Sequence, residues 1–189
     1  NISFTFSGST YRIGEMPVSK YSAASTKSFA QYNDAAVVVI GRTGGEGEDL
    51  TTDMSKWDDN YTPGQHSLEL NKDEKDQIAL AKQNFKKVIV VVNSSQPIEM
   101  GELQDDPQIN AIINSGTPGA TGFLSLGEII AGTLNPSGHT VDTWARDFTK
   151  DPTFVNIGSN EYTNAGKIRS FFVNYEEGIY SGYRYYETA

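Results

Sequence analysis

Ala35-Ala-Val-Val-Val-Ile-Gly-Arg-Thr-Gly-Gly-Glu-Gly-Glu-Asp-Leu50 is the stretch on which the fold turns. Its first half is a continuous apolar run of strand length that ends in Gly41. A run without alternation suits a strand buried on both faces, as in a parallel sheet covered by helices. Its second half is a polar, acidic, glycine-rich loop. Working outward, residues 88–92 form a second apolar run that ends at Asn93-Ser-Ser95. Residues 109–113 form a third, ending at Asn114-Ser-Gly116. Between the first two, Asn71 and Glu74 have the spacing of a helix capping box. Ile78, Ala81 and Phe85 follow on one helical face, and Lys86-Lys87 suits the negative end of the helix dipole. Pro118-Gly119 is expected to start another helix, with Phe123, Leu126 and Ile130 on one face and Gly132 near its end. Residues 22–31 read as a short helix before the first strand. Alternating strands and helices predict a parallel sheet with helices on both faces and right-handed crossovers. The polar runs at 41–50, 93–97 and 114–119 each follow a strand, so they are expected on one edge, where such sheets bind ligands.

The chain has 189 residues, which fits one domain with a real core. Residues 32–150 read as that core, 1–31 as a lead-in with its first helix, and 151–189 as an aromatic-rich tail. The formal charge is −9, and the fifteen Lys and Arg form no basic stripe. Nucleic acid and anionic membrane surfaces are therefore not expected partners, since both begin with neutralising phosphate. There is no cysteine, so disulfides, thiolate catalysis and cysteine zinc sites are excluded. His66 and His139 stand far apart with no HExxH context, so no metal site is expected. Ser137 sits in Asn-Pro-Ser-Gly-His, not in a nucleophile elbow. No apolar run is long enough to cross a bilayer. The start lacks an initiator Met and reads as a trimmed fragment, which leaves both cytoplasmic and exported fates open.

The loop after residue 41 is the chemically informative part. A glycine-rich loop after a buried strand first suggests phosphate binding, but neither a Walker A nor a GxGxxG spacing is present, and Glu46, Glu48 and Asp49 would repel a phosphate. Gly44, Gly45 and Gly47 remove bulk around Glu46, so a neutral ligand can approach its carboxyl closely. A Glu among other acids and away from bulk water has a raised pKa and can donate a proton near neutral pH. The competing reading is a solvated acidic loop with no chemical role.

The strand with Gly41-Arg-Thr-Gly-Gly-Glu-Gly-Glu-Asp49 resembles the segment that bears the general acid/base Glu in family 3 glycoside hydrolases. Further segments resemble that family in the same order. They are Leu68-Glu-Leu70, residues 88–97 ending in Asn-Ser-Ser-Gln-Pro, Pro118-Gly119 with Gly122, Leu134-Asn-Pro-Ser-Gly138 with Asp142-Thr-Trp144, and Tyr175-Glu-Glu-Gly-Ile-Tyr-Ser-Gly-Tyr-Arg-Tyr-Tyr-Glu187. The resemblance runs over residues 32–187. It implies an α/β fold with a mostly parallel six-stranded sheet sandwiched between helices, the C-terminal domain of a retaining β-glucosidase-like enzyme. It places Glu46 at the acid/base position, with Glu48 as the fallback, and Asp49 at the acidic residue that follows. The nucleophile would be an Asp on a separate TIM-like barrel domain, about 5–5.5 Å from the acid/base across the bond cut. The implied substrate is a β-linked glucoside or oligosaccharide, no cofactor is implied, and the chain alone is expected to hydrolyse nothing.

Other residues carry open alternatives. Arg42 can pair with Glu46 or Asp49, or reach a sugar hydroxyl. Trp57 and Tyr61, in the long polar loop 51–66, can stack on a pyranose or pack onto the domain. Trp144 and the tail tyrosines suit a core or a domain interface, and an exposed aromatic tail would fit docking on the barrel. A non-catalytic carbohydrate-binding or interaction domain is the alternative function. A flavodoxin-like or nucleotide-binding domain is a third, and the acidic loop opposes it.

Overall fold

The structure, a computed structural model, describes residues 2–6, 9–13, 16–42, 50–119, 121–156, 160–162 and 171–188. Its centre is a parallel sheet of β3 (Ala36–Arg42), β4 (Val88–Ser94) and β5 (Ile109–Asn114), in that order. Two antiparallel pairs stand apart from it: β1 (Ile2–Phe6) with β2 (Ser9–Ile13), and β6 (Asn160–Glu161) with β7 (Phe171–Phe172). The helices are α1 (Ala23–Ser28), α2 (Lys72–Asn84), α3 (Gly101–Gln104), α4 (Leu124–Ile130) and α5 (Tyr183–Tyr186). The parallel α/β sheet is therefore as expected, but among the described residues it has three strands, not six. The three are the segments with the longest β-branched apolar runs.

β4 is the most buried strand. Val90, Val91 and Val92 are fully shielded, which requires cover on both faces and a hydrogen-bonded neighbour at each edge. α2 packs one face of the sheet through Ile78 and Ala81, and Leu70, Ile98 and Leu103 complete the cluster. Trp144 lies against this cluster, which bears out its reading as a core residue. The β4–β5 register slips between Val88 and Ile89. Asn110 is the extra residue there, and its side-chain Oδ1 accepts the Val88 N–H at 2.8 Å, so that donor is satisfied across the slip.

β3 departs from the expectation of burial on both faces. Val38 and Ile40 point into the core, but Val37 is 44% and Val39 54% exposed. They line an open apolar groove of about 290 Å³ with Tyr21, Phe29, Leu80 and Phe85. An unbroken run of Val and Ile is apolar on both faces whether or not anything covers the second one. Among the described residues β4 has that cover, whereas β3, at the end of the sheet, leaves Val37 and Val39 exposed.

The capping box forms as the sequence predicts. The Glu74 N–H donates to Asn71 Oδ1 at 2.9 Å, and the Asn71 N–H donates to Glu74 Oε2 at 2.8 Å. Ser22 caps α1 in the same way, by accepting the Ser25 N–H. α4 starts at Leu124, later than the expected Pro118-Gly119, because Gly119 has φ +67°. The turn it makes brings Gly122 so close to the Pro118 carbonyl that a Cβ would lie 2.3 Å from its oxygen. Both glycines of the Pro-Gly-x-x-Gly segment are thus sterically required. Among the described residues no helix is long and apolar enough to cross a membrane.

Core and open face should respond differently to substitution. Ile98→Ala, at a fully buried position, is expected to lower stability by about 2–5 kcal/mol in urea unfolding. Val39→Thr, at the open face of β3, is expected to change it by less than about 0.5 kcal/mol.

Candidate active site

The three strands of the parallel sheet end together. Arg42 pairs in register with Ser94, and Val92 with Asn114, so the strand ends share one edge, and the runs at 93–97 and 114–119 lie there as expected. The two runs are tied to each other. The Asn93 Nδ2 donates to the Gly116 carbonyl at 2.5 Å, and the Ser115 N–H and hydroxyl both donate to the Val92 carbonyl. Ser94 turns the chain by exchanging hydrogen bonds with the Gln96 backbone. The edge is therefore polar and made of short, satisfied turns. Glu46, Glu48 and Asp49 follow β3 directly in the chain and lie outside the described residues.

Arg42 is the last residue of β3. Its guanidinium grips the Glu74 carboxylate with both terminal nitrogens, Nη2 at 2.7 Å from Oε2 and Nη1 on Oε1. Nη2 also donates to the Glu69 carbonyl at 2.9 Å. The side chains are only 11% and 2% exposed, so this is a buried ion pair. The described partners of Arg42 are Glu74 and Glu69, and the alternatives Glu46 and Asp49 lie outside the described residues. The sequence shows Glu74 only as a capping residue, and nothing local marks a partner 32 positions earlier.

Residues 50–70 form a closed loop. The Ser67 N–H donates to the Thr51 carbonyl at 3.1 Å, and the Met54 N–H donates to the Gln65 carbonyl at 2.8 Å. Asp53 is its hub: Oδ1 accepts from the Ser55 hydroxyl and from the N–H groups of Ser55 and Gly64. The Ser55 hydroxyl first, then the Gly64 N–H, holds the Asp53 carboxyl below the usual carboxylate range. Tyr61, weighed as a stacking residue, is 7% exposed and belongs to the packing of this loop. Trp57 is the opposite case. It closes a short 3-10 turn over Met54–Lys56, and 79% of its surface faces solvent.

His66 anchors the loop from beneath. Its Nδ1 accepts the Leu68 N–H at 3.2 Å, so the ring proton belongs on Nε2, which lies 2.9 Å from Glu99 Oε1. The same Glu99 oxygen accepts the Phe148 N–H at 2.8 Å, and the rings of Phe148 and Phe154 meet the imidazole edge-on. His66, Glu69 and Glu99 were not among the sequence candidates, since a lone His carries no signal without its partners. Among the described residues no group of three or more acidic or His side chains is disposed to hold a metal ion.

Residues 7–183 match the glycosyl hydrolase family 3 C-terminal domain. The chain belongs to that family. Beta-glucosidase A of Butyrivibrio fibrisolvens is 29% identical over 175 residues, covering 84% of this chain and 19% of that protein. A beta-glucosidase of Ruminococcus albus is 28% identical over 162 residues, covering 86% of this chain and 15% of its own length. The crystal structure of a beta-glucosidase from Paenibacillus barengoltzii superposes with a TM-score of 0.70 at 28% identity, over 92% of this chain and 17% of that one. The chain thus spans less than a fifth of each of these relatives.

The aromatic tail of this family 3 domain is partly docked. The Tyr186 hydroxyl donates to Asp151 Oδ2 at 2.8 Å and the Tyr185 hydroxyl to the Lys150 carbonyl at 3.0 Å. Tyr175, Ile179, Tyr180 and Tyr183 remain exposed. Burial, and then the Asp151 carboxylate, pushes the Tyr186 phenol up. Burial also works against ionisation of Asp151, but the hydrogen bonds from Thr153 and Tyr186 outweigh it and leave the carboxyl below its usual range. A carboxyl depressed in the folded state stabilises it above the unfolded pKa, and that advantage is lost as pH falls through the native one. Acid titration of stability should therefore show a loss below about pH 4 that Asp151→Asn makes shallower. In the same variant the Tyr186 phenol should titrate only part of the way back to its ordinary value, because burial is the larger cause.

Proposed function

We propose that this domain supplies the general acid/base carboxyl of a retaining β-glycosidase acting on β-linked glucosides or oligosaccharides. The observation that carries the reading is the family match over residues 7–183, together with the place of Glu46 in the Gly-Gly-Glu-Gly-Glu-Asp run directly after β3. The β-glucosidases among its relatives support the substrate class.

In this mechanism the Glu46 carboxyl gives its proton to the glycosidic oxygen as the bond from that oxygen to the anomeric carbon breaks. An Asp on a separate barrel domain takes the anomeric carbon, forming a glycosyl ester. The Glu46 carboxylate then takes a proton from water as the water oxygen displaces the ester, and the sugar leaves with its configuration retained. Glu46 is the proposed donor, with Glu48 the alternative in the same loop. The exposed Tyr175, Ile179, Tyr180 and Tyr183 suit a surface that the barrel covers.

Trp57 has the exposure that a stacking platform needs, on a loop whose backbone is held by Asp53 and His66. We assign it to stacking on a sugar unit of the substrate.

Glu46→Ala in the full-length protein should lower kcat/KM on cellobiose by about 10²–10⁴-fold, whereas a dinitrophenyl glucoside, whose leaving group needs no proton, should be largely spared. Unchanged kinetics on both substrates would refute the assignment, and the same pattern in Glu48→Ala would transfer the role to Glu48. Trp57→Ala should raise KM for oligosaccharides about 10-fold and leave kcat nearly unchanged, in steady-state kinetics against aryl glucosides lacking the second sugar.

A further inference from the structure

Trp57 hangs on a relay of hydrogen bonds that leads back to the core. Its N–H donates to the Met54 carbonyl at 2.9 Å, and the Met54 N–H donates to the Gln65 carbonyl at 2.8 Å. Asp53 adds a second tie across the loop, since its Oδ1 accepts the N–H groups of Ser55 and Gly64. The Gln65 side chain adds a third: Nε2 donates to the Leu70 carbonyl, and Oε1 accepts the Thr62 N–H. The turn that presents Trp57 is therefore laid on the 62–65 limb, and the next residue along that limb is His66. The place of the turn follows from where His66 is held.

His66 is held by Glu99. Its Nε2–H donates to Glu99 Oε1 at 2.9 Å, while its Nδ1 accepts the Leu68 N–H from its own limb. Glu69 serves the limb differently: its Oε2 accepts the His66 N–H at 2.7 Å and stays 3.6 Å from Nε2. Glu99 is itself fixed by its neighbours. It follows the fully buried Ile98, and its N–H donates to the Leu68 carbonyl at 2.9 Å. The next N–H, of Met100, donates to the Ala145 carbonyl at 3.1 Å. One oxygen, Oε1, thus receives both the imidazole and the Phe148 N–H. Packing alone does not call for this arrangement, because shielding a carboxylate from water carries a desolvation cost that an apolar side chain would not. What the contact adds is direction: the imidazole, bonded at both nitrogens, has one orientation.

We propose that Glu99, acting through His66, is a positioning residue that sets the preference for oligosaccharides over simple aryl glucosides. It holds the 62–66 limb, and with it the turn that carries Trp57, where the indole can stack on a sugar. This rests on the reading of Trp57 as a stacking residue. Glu99 acts here through the loop and not on the sugar.

The test uses the full-length protein and steady-state kinetics on cellotriose and on a nitrophenyl glucoside. The principal variant is Glu99→Leu, which removes the shared acceptor. Glu99→Gln keeps an oxygen there and loses only the charge. His66→Asn keeps an acceptor for the Leu68 N–H but is too short to reach Glu99, so it breaks the link independently if Glu99→Leu fails to fold. Glu99→Leu and His66→Asn should each raise KM for cellotriose about 3–10-fold with kcat nearly unchanged. The nitrophenyl glucoside should keep kcat/KM within about twofold, and Glu99→Gln should restore the cellotriose KM. In a Trp57→Ala background, Glu99→Leu should add nothing further, because the indole it positions is gone. Equal losses on both substrates, no rise in KM, or a fully additive effect with Trp57→Ala overturns the proposal, since a role in folding alone weakens every substrate and ignores Trp57. Trp57→Ala measured alone separates the two failures. If it raises KM for cellotriose and the Glu99 and His66 variants do not, only the positioning role is refuted; if it does not, the stacking reading falls and the positioning role with it.

Discussion

Everything described here depends on β4 being dry on both faces. Val90, Val91 and Val92 are fully buried, so the strand must have a hydrogen-bonded neighbour at each edge and packed side chains above and below. β3 and β5 supply the edges, and α2 with Leu70, Ile98 and Leu103 supplies one face. The parallel register then leaves no choice about where the strands end. Arg42, Ser94 and Asn114 come out at one edge, and the segments that follow β4 and β5 become neighbours although about 20 residues apart in the chain.

The second constraint is electrostatic. A domain with a net charge of −9 places one of its few cations, Arg42, in a nearly solvent-free position against Glu74. Exposed pairs elsewhere, such as Lys72 with Asp76 and Lys75 with Glu102, lie along α2 and contribute little on their own. The buried pair is different in kind, since removing one partner strands the other charge in a dry site. It links the sheet edge to the helix start and to the limb of the 50–70 loop that His66 and Glu99 secure from the other side.

The sequence made legible what depends on local pattern. Three β-branched runs became three parallel strands, Asn71 and Glu74 became a capping box, and the ordered motifs led to the family. What failed depended on neighbours remote in the chain. Val37 and Val39 read as buried because their run is apolar, yet coverage comes from what packs above, and both stay exposed while Val90, Val91 and Val92 of β4 are dry. The Pro118-Gly119 helix start was misplaced because a left-handed Gly119 and the Pro118–Gly122 contact make a turn first. Of the six strands implied by family likeness, the described residues show three in the main sheet. Trp57 and Tyr61 looked alike in sequence, but one faces solvent and the other is packed inside the loop. Arg42 and Glu74 carry no mutual signal until the fold brings them together.

The central claim is that a carboxyl on this domain works as acid and then as base on a sugar held elsewhere in the protein. The most direct measurement is product analysis by NMR when the full-length Glu46→Ala variant turns over a dinitrophenyl β-glucoside in azide. A small anion needs no base to remove a proton, and it can enter the space left by the carboxyl. The account expects rate recovery and β-glucosyl azide as the product. Recovery without that product, or no effect of azide on a variant that still hydrolyses at the normal rate, would contradict it.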